Sequence, residues 1–310
     1  EIFELIQNNT SLTTLEIPNF QLSSLSELPL IKDNGSFYAL TSLDISHSGI
    51  QHIDDLINFP LLEKLNLGNN KITNTLPLRE LDRLRELELS YNPIHNIPDL
   101  ILSLDNKVHL ETLALAGIAI GSLELLPLAS PTGEPYPLNR LNLSQTGITD
   151  ISRIADFKYL RFLDISDNTL IDHFALSFLN QLTHLNISNS SLDSGHNLDH
   201  LRQLKSLNLS NNTGLTAFDA QSIVMNNAYL EKLYLRNIPI NQTSFFPLVT
   251  PQNTPYNLIE LDISGTGYQN LFDLQLHQAL QTLAIANNQI SDFFGLEGLP
   301  RLQVLDASGN

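Results

Sequence analysis

Two histidines, His196 and His200, stand four residues apart, a spacing that can present two metal ligands on one face of a helix. The sequence offers no evident third ligand, and the surrounding leucine pattern places both histidines on a solvent-facing connecting segment. We therefore expect two exposed histidines and no metal site. The acidic pair Asp54 and Asp55 also falls on regular positions of that pattern, so it is not interpreted as a catalytic dyad.

Motifs of enzymatic chemistry are missing from the sequence. There is no phosphate-binding loop, no dinucleotide-binding fingerprint, no serine-hydrolase elbow and no zinc-protease helix. The chain has no cysteine, which excludes thiol nucleophiles, disulfides and cysteine-ligated zinc. The sequence predicts a protein that is not an enzyme, with no catalytic residue and no cofactor.

The charge balance limits the classes of partner. Thirty-three acidic residues against sixteen basic ones give a formal net charge of -17, which repels the phosphate backbone of nucleic acids. The same charge favours a basic protein partner by steering, and the alternative is that it serves solubility alone. No stretch approaches the roughly 20 apolar residues that cross a bilayer, so no membrane insertion is expected.

Self-similarity dominates the chain. The strings LTSLDISHSGI at Leu40, LEKLNLGNNKI at Leu62 and LRFLDISDNTL at Leu160 share the pattern L-x-x-L-x-L-x-x-N-x-L, in which Ser or Thr sometimes replaces Asn. Thirteen copies, some of them weaker, begin at the following leucines: Leu12, Leu40, Leu62, Leu84, Leu110, Leu138, Leu160, Leu182, Leu204, Leu230, Leu258, Leu280 and Leu302.

This pattern resembles the leucine-rich repeat family over essentially the whole chain, and its 22-residue form resembles the bacterial internalin-like class. The resemblance implies an α/β fold, a curved horseshoe-shaped solenoid. Its concave face would carry a parallel sheet of about 13 short strands. Its convex face would carry return segments of mixed 3-10, α-helical and irregular structure.

The spacing has a physical reason. In L-x-L both leucines point to one side of a short strand, because side chains alternate along a strand. The Asn column lies where the chain turns, and a stacked amide can satisfy backbone groups buried there. Its members are Asn70, Asn92, Asn168, Asn212 and Asn288. Hydroxyls are expected to do part of this at Ser48, Thr146, Ser190 and Thr266.

A longer period lies above the repeat. Most repeats have 22 residues, but a 26-residue repeat is always followed by a 28-residue one. We interpret residues 1–310 as a single domain of three blocks, 1–98, 99–218 and 219–310, excised from a longer chain or capped by another domain or chain. The 26-residue repeats should have helical returns. The 28-residue repeats should carry edge loops at 31–37, 129–135 and 249–255.

The outward face of the strands is the expected binding surface. It is polar and mildly acidic, so aromatic and basic side chains stand out as candidate anchors. The first candidate group is Arg140, Phe162 and His184 on successive strands, with Asp164 beside them. The second group is Lys232, Tyr234 and Arg236 on one strand. The alternative is that both groups are ordinary solvated strand residues.

These observations favour a protein-binding scaffold, interpreted as a bacterial surface, secreted or effector protein. A secreted or cell-surface location is favoured over a cytoplasmic one. The alternative is a recognition segment of a larger multidomain protein. A carbohydrate-binding module is a third interpretation, which the scarcity of aromatic residues on the strand face disfavours.

Overall fold

The structure is a computed structural model, and it describes residues 2–9, 11–28, 38–127, 135–241 and 256–310. The chain divides into two compact units. Unit 1 comprises Glu1–Ile148 and Asp156–Tyr159, and unit 2 comprises Thr149–Ala155 and Leu160–Asn310. The interpretation of residues 1–310 as a single domain of three blocks stays a prediction.

Every repeat leucine is followed two residues later by a three-residue strand. Unit 1 contains the strands β1 (Thr14–Glu16), β2 (Ser42–Asp44), β3 (Lys64–Asn66), β4 (Glu86–Glu88), β5 (Thr112–Ala114) and β6 (Arg140–Asn142). Unit 2 contains β7 (Phe162–Asp164), β8 (His184–Asn186), β9 (Ser206–Asn208), β10 (Lys232–Tyr234), β11 (Glu260–Asp262), β12 (Thr282–Ala284) and β13 (Val304–Asp306).

Within each unit the strands are parallel and pair in chain order. Equivalent positions of the repeat face each other, as Leu43 faces Leu65 in unit 1 and Leu185 faces Leu207 in unit 2. These central leucines point inward and are almost fully buried. Because a slip of one residue would turn the leucines outward, the L-x-L pattern fixes the register. The described strands confirm the predicted solenoid of about 13 short parallel strands.

Three α-helices occur in the described residues. They are α1 (Ile2–Asn8), α2 (Ile97–Leu104) and α3 (Ala217–Asn226). Helices α2 and α3 form the returns of the two 26-residue repeats, as predicted. Thr216 and Asp219 form a capping box that begins α3, in which each side chain binds the backbone N–H of the other residue.

The other return segments are too short for α-helices and contain 3-10 turns. These turns are Leu25–Glu27, Asp54–Asn58, Leu76–Glu80, Leu123–Leu125, Ser152–Asp156, Phe174–Phe178, His196–Leu198, Phe272–Leu276 and Leu296–Gly298. A 3-10 helix tolerates such short runs. The predicted mixture of 3-10, α-helical and irregular returns is therefore present.

The Asn column caps the turns that follow β3, β4, β7, β9 and β12 from inside. The amide of Asn212 donates to the carbonyls of Ile187 and Leu209, both at 2.8 Å, and its oxygen accepts from the N–H groups of Ser190 and Leu192. Where a hydroxyl residue replaces Asn, it makes part of these hydrogen bonds. For example, the hydroxyl of Thr146 donates to the carbonyl of Leu143 at 2.7 Å. The predicted ladder is confirmed, and it satisfies backbone groups that water cannot reach.

The predicted edge loops lie outside the described residues, except for Pro135 at the end of 129–135. Among the residues that the structure does describe, no helix has the length and apolar character needed to cross a membrane.

Candidate functional site

The residues two and four positions after each repeat leucine point away from the core, and we call their surface the strand face. Neighbouring strands lie about 4.8 Å apart, so equivalent side chains on adjacent strands meet. In each unit the strand face is therefore built of columns that run across the strands.

A pair of stacked rings marks the strand face of unit 2. Phe162 on β7 and His184 on β8 occupy the same column, with ring centroids 4.1 Å apart and planes inclined by 21°. The hydroxyl of Thr183 lies 2.9 Å from Nδ1 of His184. Both rings are half-buried, and together they form a platform of one apolar and one polar ring.

Polar side chains lie beside this platform in the next column. The amide of Asn186 donates to the Asp164 carboxylate at 2.9 Å and to the Ser166 hydroxyl at 3.2 Å. Asp164 also accepts from the N–H and the hydroxyl of Ser166. The carboxylate is thus held in one orientation next to the rings.

The first predicted group is only partly assembled within one unit. Phe162, Asp164 and His184 lie together in unit 2, whereas Arg140 lies exposed on β6 of unit 1. The role of Arg140 in the same binding surface stays a prediction.

The two basic side chains of the second predicted group form ion pairs with acidic residues of the next repeat. Nζ of Lys232 lies 3.1 Å from Glu260, and Nε of Arg236 lies 3.1 Å from Asp262. Burial, and then the hydrogen bond to Glu260, raise the pKa of Tyr234, which therefore stays a neutral phenol. The group is a charge-balanced surface around a tyrosine rather than an isolated basic island.

Sequence reasoning missed Glu260 and Asp262, although the repeat contained the signal. Parallel pairing sets Lys232 opposite Glu260 and Tyr234 opposite Asp262, at the 28-residue offset of that repeat. In unit 1, Lys64 is likewise paired with Glu86, the equivalent residue one 22-residue repeat later, at 2.6 Å. Opposite charges at equivalent positions of successive repeats therefore predict such ion pairs.

The strand face of unit 1 has an acidic hollow that was not singled out from the sequence. It is open, with a volume of about 420 Å³, and Glu16, Asp44, Glu86 and Glu88 contribute to its lining. Burial raises the pKa of Glu88, although hydrogen bonds from Ser90 oppose this. A basic side chain of a partner could form ion pairs with these carboxylates.

The structure places His196 and His200 on exposed positions of one return, as predicted. Among the residues described, no group of three or more histidine or carboxylate side chains has an arrangement that could hold a metal ion.

One repeat of the chain matches a known protein family. A family model described as "Leucine Rich Repeat" matches residues 83–104, the repeat that contains β4 and α2. Mouse nephrocan is 38% identical over 80 residues, which are 24% of this chain and 15% of nephrocan. The match thus spans less than a sixth of that relative's length.

Solved structures extend the likeness to nearly the whole chain. Internalin F of Listeria monocytogenes aligns with a TM-score of 0.53 at 20% identity, covering 97% of this chain and 88% of that one. The functional domain of InlJ from the same organism aligns with a TM-score of 0.61 at 22% identity, covering 96% and 63%. The chain has the leucine-rich repeat fold. At these identities the structures show the fold alone.

A plant protein shares the same fold. The leucine-rich repeat ectodomain of the receptor kinase GASSHO1/SCHENGEN3 from Arabidopsis thaliana aligns with a TM-score of 0.57 at 22% identity, covering 93% of this chain and 38% of that one. Proteins with the leucine-rich repeat fold are typically protein-interaction scaffolds without catalysis.

Proposed function

We propose that this leucine-rich repeat protein is a non-enzymatic scaffold that binds a protein partner through its strand face. The observation that carries the proposal is the stack of Phe162 on His184 beside the fixed carboxylate of Asp164. Aromatic rings held by their neighbours lose little side-chain entropy on binding, which is why they serve as interface anchors.

The acidic hollow of unit 1 and the net charge of -17 favour a partner with a basic surface. Around Tyr234 the cations are already paired with Glu260 and Asp262, so this region can contribute hydrogen bonds without presenting net charge. The partner we propose is therefore basic opposite unit 1 and carries apolar groups opposite Phe162 and His184.

We further propose that the chain acts outside the cytoplasm, as a bacterial surface, secreted or effector protein. Its support is the lack of cysteine and the likeness in fold to two Listeria internalins. The alternative is a recognition segment of a larger protein. The GASSHO1/SCHENGEN3 ectodomain, solved in complex with CASPARIAN STRIP INTEGRITY FACTOR 2, is a segment of this kind.

Site-specific photo-crosslinking tests the strand face. A photoreactive amino acid is placed at the outward position 186, and in a second protein at position 57 on a return of unit 1, and each is exposed to extracts of the source organism and of its hosts. We expect one discrete crosslinked protein from position 186 and none from position 57. Discrete crosslinks from position 57 alone contradict the proposal.

Purified partner then allows a quantitative test. We expect the double substitution Phe162→Ser/His184→Ser to weaken binding by about tenfold or more, or about 1.4 kcal/mol. The matched control is Thr282→Ser, an outward position on β12, which should change the affinity little. Unchanged affinity of the double variant contradicts the role of the ring platform.

A further inference from the structure

A second surface of unit 2 is apolar although it faces solvent. Six side chains on the returns are exposed, and we call them the return patch: Ile171, Phe174, Phe178, Phe218, Met225 and Tyr229. Ile171 is 82% exposed and Phe218 is 69% exposed. The rings of Phe174 and Phe178 meet edge to face, with centroids 5.2 Å apart.

The return patch extends over three neighbouring return elements. The 3-10 turn Phe174–Phe178 packs beside the turn His196–Leu198, which packs beside α3. The exposed His196 and His200 lie on the middle element, between the phenylalanines of the first element and the exposed residues of α3. The apolar side chains thus lie on two returns that flank the one carrying these histidines, and a cluster of exposed apolar residues of this kind marks an interaction site.

The repeat itself does not require these aromatic residues. Phe174 and Phe178 stand 14 and 18 residues after their repeat leucine, and the same positions in unit 1 carry Asp54 with Asn58 in one repeat and Leu76 with Glu80 in the next. Both kinds of residue are compatible with a 3-10 return, as the structure shows. The aromatic residues therefore need a reason beyond folding.

The size of the patch is sufficient for a short partner segment. An aromatic side chain buries about 150 to 250 Å² when it is fully covered, so six large side chains that are about half exposed or more offer roughly 600 Å². A stable interface between globular proteins takes about 800 Å² from each partner. Only a little over half of such an interface is apolar, so the area of the patch suits a single helix but does not exclude a second copy, and the charges around the patch decide between these two occupants.

The charges around the patch favour a basic segment. The three returns at 171–181, 193–203 and 213–229 contain one cation, Arg202, and four acids, namely Asp172, Asp193, Asp199 and Asp219. A second copy of this chain would bring its own net charge of -17 against these acids. Lysines and arginines on the rim of a partner segment would instead be attracted.

We propose that the return patch of unit 2 docks an amphipathic helix of a partner protein, whose apolar face covers the rings and whose flanking Lys and Arg face the aspartates. Such a helix presents apolar residues at intervals of three and four, a spacing that can cover neighbouring returns. This surface is separate from the strand face, so it gives the scaffold a second binding mode.

The test uses the full chain and a labelled model helix of leucines and lysines, about 18 residues and five turns long. Fluorescence anisotropy measures its binding to the wild type and to Phe174→Ser/Phe178→Ser/Phe218→Ser. We expect the triple variant to bind at least about tenfold more weakly. The matched control, Ile57→Ser/Leu102→Ser/Val108→Ser, removes three exposed apolar residues of unit 1 and should bind like the wild type.

Two further probes separate the contributions. A helix with glutamate in place of lysine should bind much more weakly, and so should a lysine peptide with serine in place of leucine. Equal binding by the triple variant, or by the glutamate helix, overturns the proposal. So does a wild-type dimer in sedimentation that the triple variant loses, because a second copy would then be the occupant. Circular dichroism checks that each variant is folded, as expected for exposed positions.

Discussion

The ring of His277 lies against the ring of Tyr256 in the core of unit 2, with centroids 6.0 Å apart and planes inclined by 33°. Both side chains are buried, and His277 is fully so. The equivalent position 19 residues after the repeat leucine is Phe59 in the first block and Phe157 in the second. One block thus carries a titratable ring where the other two carry an apolar one.

This histidine should make stability depend on pH. Burial lowers the pKa of His277 from 6.5 to about 4, and the nearby Asp273 opposes this only in part. The unfolded chain therefore binds a proton at a higher pH than the folded chain. The contribution of His277 is complete above about pH 6.5 and decreases as the pH falls towards 4, by about 3 kcal/mol in all.

Urea denaturation of the wild type and of His277→Phe between these pH values measures the effect. We expect the variant to be more stable than the wild type at the acidic end and the difference to shrink towards neutral pH. The exposed control His200→Phe should follow the wild type. A difference between the wild type and His277→Phe that does not change with pH would contradict the assignment.

The sequence predicted the fold well because a solenoid uses one rule many times. The L-x-L spacing gives strand, register and inward face together, and the extra residues of the 26-residue repeats predicted α2 and α3. The candidate site was harder, because it depends on pairing between repeats. The partners of Lys232 and Arg236 lie on the next strand, and the ring contact of Phe162 with His184 depends on side-chain rotation. The exposure of Phe218 depends on which face of α3 is buried.

Removing one rung of the Asn ladder should be costly. Asn70 donates to the carbonyls of Ile45 and Leu67, both at 2.9 Å, and accepts from the N–H groups of Ser48 and Ile50. Asn70→Ala leaves these buried groups without their partner, at about 1 to 3 kcal/mol for each group that stays unsatisfied.

Thermal and urea unfolding should show a loss of at least about 3 kcal/mol for Asn70→Ala, because several buried groups lose their partner at once. Asn70→Ser should be milder, because Ser48 already occupies the same column in the preceding repeat. The exposed control Asn180→Ala should change little. Equal effects of Asn70→Ala and Asn180→Ala would show that the ladder does not stabilise the fold.

Substitutions at two glycines allow the cost of backbone strain to be distinguished from the cost of a side-chain clash. Gly117 and Gly147 both have positive φ, at 73° and 71°. A Cβ at Gly147 would meet nothing within 4 Å, whereas a Cβ at Gly117 would lie 2.7 Å from the ring of Tyr91. Gly147→Ala should therefore cost about 1 to 2 kcal/mol from the left-handed backbone alone.

Gly117→Ala should cost more than Gly147→Ala in urea denaturation, because the Tyr91 ring must also move. Adding Tyr91→Ala to each variant completes a double-mutant cycle. We expect the tyrosine change to recover the excess cost of Gly117→Ala and to leave the cost of Gly147→Ala unaltered. Independent effects in both backgrounds would mean that Tyr91 does not pack on Gly117.

A buried lysine should make the stability of the fold depend on pH in the alkaline range. The side chain of Lys107 is fully buried, its ammonium donates to the carbonyl of Arg79 at 3.1 Å, and Asp82 lies 3.9 Å away. Burial lowers the pKa of Lys107 from its ordinary 10.5, and the attraction of Asp82 only partly offsets this. Below 10.5 the unfolded chain thus binds more protons than the folded chain, so the stability contributed at this position rises with pH.

Lys107→Met keeps most of the buried volume and removes the titration. We expect the stability of the wild type relative to this variant, measured by urea denaturation, to increase as the pH rises towards about 10.5. Lys71→Met changes an exposed lysine in the same unit and should leave the pH profile of the wild type in place. A relative stability that falls with pH would require the ammonium to be held by Asp82 more strongly than burial opposes it, because only then would the folded pKa lie above 10.5.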